Sequence, residues 1–284
     1  MATAAIVLAG GRSLRMGTPK TDLDWHGCTL LRRAVGIVGR AVDGPVVVVR
    51  AREQRLPPLP AHVEVAEDER QDRGPLQGIA AGLAAIGNRA EIAYVSGVDA
   101  PLLHPAFVGH VIRALGEADD IALPRAHGFA HPLAAAYRAA AVALSLDALL
   151  DGDDLGSAAL FARCTVRELD EAALLADPAI AVLDPALDSL LNLNEPDEYE
   201  RAWARPAPEV TVRRFGRLRI GLDPIAICAA TLAGAAGAVA VTLGGDVVAM
   251  LNGAVTNDPH EPLVAGDAVT FLAPERRSSE AAEQ

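Results

Sequence analysis

The sequence predicts an α/β protein. It has a Rossmann-like three-layer domain around a mostly parallel sheet, followed by a small α+β module. Three observations carry that expectation. Short apolar runs alternate with helix-like stretches through the first two hundred residues, several of the runs apolar on both faces, as in a sheet covered by helices. A Pro-rich break, "RPAPE" at 205 to 209, interrupts the alternation. Beyond it the pattern changes to alternating strands around one short apolar stretch.

Taken in order, "AAIVLAG" (4 to 10), "PVVVVRA" (45 to 51), "HVEVAED" (62 to 68), "EIAYVSGVD" (91 to 99) and "DIALP" (120 to 124) read as strands. Thr29 is placed to cap a helix over "LLRRAVGIVGRAV", and Pro75 opens a second over "PLQGIAAGLAAIG" that stops near Gly87. Strand, helix, strand in that order implies right-handed crossovers. After the linker, "VTVRRFGRLRI" reads as a strand, "PIAICAATLAG" as a short helix, and "GDVVAMLNGAVTN" and "DAVTFLAP" as further strands. The expected division is residues 1–204, a linker at 205–209, a module at 210–275 and a disordered polar tail at 276–284.

Composition excludes several classes of function. A hydrophobic fraction of 51% with 22% charged residues supports a folded chain of 284 residues, long enough for two cores. The net charge of -12 argues against a nucleic-acid partner, whose phosphates require a broad basic footprint. Cys28, Cys164 and Cys228 are far apart and lack zinc-ligand spacing, which suits a reduced, cytoplasmic setting. The amino terminus has no basic region ahead of its apolar run and reads as the first strand. The uncharged stretch from Pro224 to Gly245 is long enough for a membrane helix, but its Ala, Gly and Thr content is too weakly apolar, and no membrane partner is expected.

The segment "VLAGGRSLRMGTPK" (7 to 20) concentrates the chemistry. Glycines at a strand end let a nucleotide approach the backbone, whose N–H groups can face base or phosphate oxygens. The spacing matches neither a Walker loop nor the dinucleotide fingerprint. Arg12, Arg15 and Lys20 nonetheless form a cationic set suited to a triphosphate. Lys20 is the only lysine among 25 basic residues. A compact ammonium on a flexible stem serves as a point charge where a planar guanidinium does not fit.

The same segment, as "LAGGRSLRMGTPK", resembles the opening motif LAGGxSxRMGxxK of MobA-like molybdenum cofactor guanylyltransferases, within the GT-A-type nucleotidyltransferases. Four further motifs follow in order. "EDERQDRGPLQGI" resembles the family's acidic residue and GPLxG loop, giving Asp68 and Gly78. "SGVDAPLL" resembles its DxP, giving Asp99. "AHPLAAAY" resembles its HP segment, at His131 and Pro132, and "LLNLNEPDEY" resembles NxNxP, at Asn192, Asn194 and Pro196. The resemblance covers about residues 3 to 203.

The resemblance implies transfer of GMP from GTP to the terminal phosphate of molybdopterin or Mo-molybdopterin, with release of pyrophosphate. Lys20, Arg15 and Asp99 are then the catalytic set. Leu8, Ala9, Gly10, Gly11, Arg12, Lys20, Arg50, Asp68, Gly78 and Asp99 surround the nucleotide. A carboxylate beyond a parallel strand suits Mg²⁺, so Asp99 is assigned to the metal. Asp68 either accepts hydrogen bonds from the nucleotide or belongs to a solvated acidic loop. Asn192 and Asn194 bind the pterin or cap the last helix. His131 is either a packed or hydrogen-bonded strand residue, because an ionised phosphate nucleophile needs no base. Arg50 stands where many members carry an Asn that touches the nucleotide, which puts base or ribose recognition in question. Cytidylyl transfer, another phosphate acceptor and a noncatalytic cofactor-binding scaffold are the alternatives. The Gly10-Gly11 pair favours guanine over cytosine, since cytidylyl relatives usually have AAG there.

The last seventy or so residues resemble β-grasp sulfur carriers of the MoaD/ThiS type, through Asn252-Gly253 and Gly266-Asp267. No glycine follows Gly266 in this sequence, so the module is not expected to carry sulfur through a terminal Gly-Gly. The expected role is docking to other cofactor-assembly proteins or apo-molybdoenzymes, or a structural appendage.

Overall fold

The computed structural model describes residues 1–10, 17–68, 74–150, 156–221 and 224–275. The predicted site residues Gly11, Arg12 and Arg15, and the tail at 276–284, lie outside these residues. The chain divides into two compact units, Met1–Asp24 with Thr29–Arg201, and Trp25–Cys28 with Ala202–Gln284.

Along the chain β1 (Thr3–Leu8) of the first unit is followed by a small hairpin of β2 (Asp24–Trp25) and β3 (Cys28–Thr29), whose Trp25–Cys28 belong to the second unit, and by α1 (Leu30–Gly39) of the first. Thr29 caps α1, its Oγ1 accepting from Arg32 N at 3.2 Å. Then come β4 (Val46–Ala51), β5 (Glu64–Asp68), α2 (Pro75–Ile86), β6 (Ile92–Gly97), α3 (Pro105–Ala114) and β7 (Ile121–Ala126). The chain continues through β8 (Phe129–Ala130), β9 (Ala134–Arg138), α4 (Ala139–Leu150), α5 (Ser157–Phe161), β10 (Val166–Leu169), α6 (Glu171–Leu175) and α7 (Pro178–Leu183) to α8 (Pro196–Trp203), within which the first unit ends.

Among the described residues the main sheet runs β10-β7-β9-β6-β1-β4-β5, with β8 paired to β7. β5, β4, β1 and β6 are parallel, and β7 is parallel to β10. Only β9 runs against its neighbours β6 and β7 on the main path. The central strands β1 and β6 are buried on both faces, which is why they read as unbroken apolar runs. Two strands had no clear signature: β9 is a run of alanines with weak strand preference, and β10 is mostly exposed.

Helix α2 lies close on β1 because it presents glycines one turn apart. A Cβ on Gly82 would fall 2.6 Å from Ile6 Cγ2, and one on Gly78 would fall 3.1 Å from Leu8 Cδ2. Ile6, Ile79, Leu83, Val95 and Tyr137 belong to the core that this approach closes. Pro75 occupies the first turn of α2, and Gly87 ends it at a φ of 57°.

The second unit holds β11 (Glu209–Gly216), β12 (Ile225–Cys228), α9 (Leu232–Ala238), β13 (Val248–Leu251), β14 (Ala254–Thr256) and β15 (Ala268–Ala273). Its mixed sheet has the order β12-β11-β15-β13-β14, with β11 parallel to β15 and the other pairs antiparallel. Val210, Val212, Leu232, Ala235, Leu251 and Phe271 form its core.

"PIAICAATLAG" is not one helix: it begins as β12, where Ile225 and Ile227 alternate with exposed Ala226 and Cys228, and α9 starts only after Thr231. Period-two alternation of β-branched residues outweighs the small-residue content. The strand expected over 210 to 220 stops at Gly216, whose φ is 64° and where a Cβ would lie 1.8 Å from Ala273 O. The uncharged stretch at 224 to 245 is therefore divided between a strand and a short helix. Among the described residues no helix is long and apolar enough to cross a membrane.

Candidate active site

The sheet reverses its winding at β1, which has β4 on one side and β6 on the other. Open α/β sheets bind ligands beyond the carboxyl ends of the strands at such a point. Leu8 lies there at the end of β1 with Ala9 and Gly10 just past it, Arg50 and Ala51 at the end of β4, Asp68 at the end of β5, and Asp99 just past β6.

Lys20 begins a single 3₁₀ turn, Lys20–Asp22, immediately after Pro19. Its Nζ lies 2.8 Å from Asp99 Oδ2 and 3.1 Å from Asn194 Oδ1. Three motifs far apart in sequence thus meet at one ammonium. The Lys20 and Asp99 side chains are 18% and 22% exposed, open enough for a ligand to reach them.

The backbone around Asp99 is fitted to its carboxylate. A Cβ on Gly97 would lie 2.6 Å from Asp99 Oδ1, so only glycine leaves that oxygen its place. Gly97 was not singled out by sequence; its position at the end of a buried strand two residues before the aspartate was the available signal. Leu193, buried between the two asparagines, donates its N–H to Asp99 O at 2.8 Å and ties the two motifs together.

Glu198 contributes to capping at the second motif. The Glu198 carboxylate accepts from Asn194 N at 2.7 Å and Glu195 N at 3.1 Å, and Pro196 starts α8. This leaves the Asn194 side chain directed to Lys20, while Asn192 is exposed. The approach to this segment is held by buried polar groups: Ser189 Oγ accepts from His104 N at 3.0 Å, and Asp184 Oδ2 accepts from Ser189 N at 3.2 Å. Burial holds the Asp184 carboxyl above its ordinary range despite the bonds from Ser189.

The opposite wall is made by β4 and the turn after it. Arg50 pairs through Nη2 with Glu67, its neighbour across β5, and donates from Nη1 to Gln54 O at 3.0 Å. Gln54 bridges Ala9 O and Ala51 N. Gly78 is occupied in packing against Leu8, so its lack of a side chain serves the α2–β1 contact. His131 is half-buried, its Nε2 3.1 Å from Ala126 O, and burial lowers its pKa below the ordinary value. Among the described residues no group of three His, Cys, Asp or Glu side chains is arranged to hold a metal. Asp99 is the carboxylate of this cluster that could hold an ion such as Mg²⁺, which commonly completes its shell with nucleotide phosphates and water.

A parallel sheet with this switch point, a glycine-ended first strand and a charged cluster beyond it belongs to the nucleotide-binding class of α/β folds. Residues 5–170 match the MobA-like NTP transferase domain, and the chain belongs to that family. A "Probable molybdenum cofactor guanylyltransferase" of Mycobacterium ulcerans is 38% identical over 161 residues, which make up 55% of this chain and 78% of the relative. One of the same name from Opitutus terrae is 39% identical over 153 residues, 54% of this chain and 74% of the relative. In fold, the chain is similar to molybdopterin-guanine dinucleotide biosynthesis protein A from Archaeoglobus fulgidus, with a TM-score of 0.56 and 24% identity, covering 70% of this chain and 96% of that one. It is also similar in fold to the bifunctional IspDF of Campylobacter jejuni, with a TM-score of 0.52 and 16% identity over 71% of this chain and 54% of that one.

Proposed function

We propose that the chain transfers GMP from GTP to the terminal phosphate of molybdopterin or Mo-molybdopterin. A phosphate oxygen of the pterin attacks the α-phosphorus, the bond from that phosphorus to the bridging oxygen of the β-phosphate breaks, and pyrophosphate leaves. The observation that carries this reading is the convergence of Lys20, Asp99 and Asn194 at hydrogen-bond distance. The names of the relatives supply the substrates.

The work of such a displacement is positioning and charge neutralisation. Lys20 offers a mobile point charge to the phosphates, held in readiness by Asp99 and Asn194. Asp99 would hold Mg²⁺, which when bound neutralises charge developing on the transferring and leaving phosphates. Arg12 and Arg15 would complete the cationic cradle, with Gly11 beside the nucleotide. Leu8, Ala9 and Gly10 would face the nucleoside from the backbone, Asp68 and Arg50 would line the same wall, and Asn192 with Asn194 would meet the pterin.

Domains are assigned as 1–204 and 210–275 with a linker at 205–209, and the protein is placed in the cytoplasm. The second is read as a β-grasp-type docking module for cofactor-assembly proteins or apo-molybdoenzymes. Its five-stranded mixed sheet with one helix supports that reading.

Pyrophosphate release by the purified protein, with Mg²⁺, molybdopterin and either GTP or CTP, tests the proposal. Pterin-dependent release with GTP is expected. Preference for CTP would overturn the base assignment, and no turnover with either nucleotide would overturn the reaction.

A further inference from the structure

The parallel ladder between β1 and β4 is regular as far as Leu8 and Val49, and Ala9 N still donates to Val49 O at 2.8 Å. In a parallel ladder a residue bonded in this way through its N–H normally receives, at its carbonyl, the N–H two residues further along the partner strand. That partner is Ala51. The Gln54 carboxamide stands between the two groups instead: Nε2 donates to Ala9 O at 2.9 Å, and Oε1 accepts from Ala51 N at 3.0 Å. One side-chain amide thus takes the place of a ladder bond between the carboxyl ends of β1 and β4.

The turn that delivers Gln54 is built for this. Gln54 N donates to Ala51 O at 3.0 Å, closing a four-residue turn whose third residue, Glu53, has a φ of 61° without being glycine. Gln54 O in turn accepts from Arg50 Nη1. A non-glycine residue held in the left-handed region points to a local requirement stronger than its own preference.

The consequence falls on the nucleotide loop. Ala9 C=O and Gly10 N–H share one planar trans peptide and point in opposite directions. Fixing the carbonyl toward Gln54 therefore fixes the Gly10 N–H away from β4. Among the described residues a Cβ on Gly10 would meet nothing closer than Ala51 N at 3.5 Å, an ordinary contact, so these residues do not demand glycine there. We infer that Gln54 is a positioning residue for nucleotide binding: it takes up the Ala9 carbonyl and the Ala51 N–H and aims the Gly10 N–H at an oxygen of the bound nucleotide. This rests on the function proposed above.

The test compares the full-length wild type with Gln54→Leu, which keeps the size and loses both bonds, and Gln54→Glu, which keeps an acceptor for Ala51 N and loses the donor for Ala9 O. GTP binding is measured by calorimetry, transfer by pyrophosphate release, folding by melting temperature, and the Gly10 amide by its ¹⁵N–¹H resonance. Both variants should weaken GTP binding and raise KM about tenfold, the value of one well-aimed hydrogen bond. Their kcat should stay within about twofold, since Lys20 and Asp99 are untouched. The Gly10 resonance should shift in both free variants and respond less to GTP.

Wild-type affinity in a folded Gln54→Leu protein would overturn the inference whatever the turnover. So would a fall in kcat with KM unchanged. Weakened GTP binding in the variants, from a wild type that binds GTP but transfers nothing to molybdopterin, would uphold Gln54 and sink the proposed reaction.

Discussion

Two clusters of Asn, Asp and Gly residues in this molecule use the same chemistry to opposite ends. In the second unit, Asn252-Gly253 and Gly266-Asp267 satisfy one another. Asn252 Nδ2 donates to Asp267 Oδ1 at 2.8 Å, Asn252 Oδ1 accepts from Ala268 N at 2.8 Å, and Asp267 Oδ2 accepts from Val264 N at 2.8 Å. Asp267 is 3% exposed, and Asn252 and Gly253 both have positive φ, the geometry of a tight hairpin between β13 and β14. In the first unit, Asp99 and Asn194 turn their oxygens to a lysine at a partly open edge of the sheet. A carboxylate closed among backbone amides holds a fold; one shared with a mobile ammonium can exchange that partner for a ligand.

The largest expected effect separates the clusters by what is lost. Lys20→Ala should lower kcat/KM for transfer by a factor of about a hundred to a thousand, the usual loss of a charge aimed at a transferring group, with little change in melting temperature. Lys20→Arg should recover only part of it, because a planar guanidinium does not replace a point charge. Asp267→Ala should do the reverse. It strands the Asn252 amide and the Val264 N–H, and should cost about 2 kcal/mol in the stability of the second unit, seen by denaturant unfolding, while leaving transfer within about twofold. Equal losses of activity in the two variants would erase the distinction.

A finer contrast lies within one strand and its covering helix. Gly82→Ala puts a Cβ into Ile6 and should cost about 1 to 3 kcal/mol through overpacking. Gly10→Ala meets only ordinary contacts among the described residues, so its melting temperature should hold while KM for GTP rises about tenfold. Because cytidylyl relatives usually have AAG here, the same variant should narrow the preference for GTP over CTP. A folded Gly10→Ala protein with unchanged KM and preference would remove Gly10 from the nucleotide site.

What was legible in the sequence follows the same division. The buried parallel strands announced themselves as apolar runs, and Gly10, Lys20, Asp99 and Asn194 were visible because they stand in motifs that resemble those of the MobA-like family. β9 was hidden because alanines pack in a covered strand without signalling it. The start of "PIAICAATLAG" misled because small residues suit a helix, while the alternation of Ile225 and Ile227 took effect only through the sheet they join. Gln54 and Glu198 could not be found by spacing. Their roles depend on backbone groups of Ala9, Ala51, Asn194 and Glu195, which look the same in any sequence.

The smallest expected effect tests whether His131 belongs with the closed polar groups or with the open ones. Its half-buried ring has a pKa below the ordinary 6.5, chiefly through burial, partly offset by the bond to Ala126 O. The folded state therefore resists the proton more than the unfolded chain does. The sign follows: stability is fully present above pH 6.5 and is lost as the pH falls through the folded-state value, since the unfolded chain binds the proton first. His131→Gln should flatten this part of the curve of melting temperature against pH while leaving the pH profile of kcat unchanged, because an ionised phosphate nucleophile needs no base. A change in the kcat profile with the stability curve unaltered would instead move His131 into the reaction and require that a proton be transferred there.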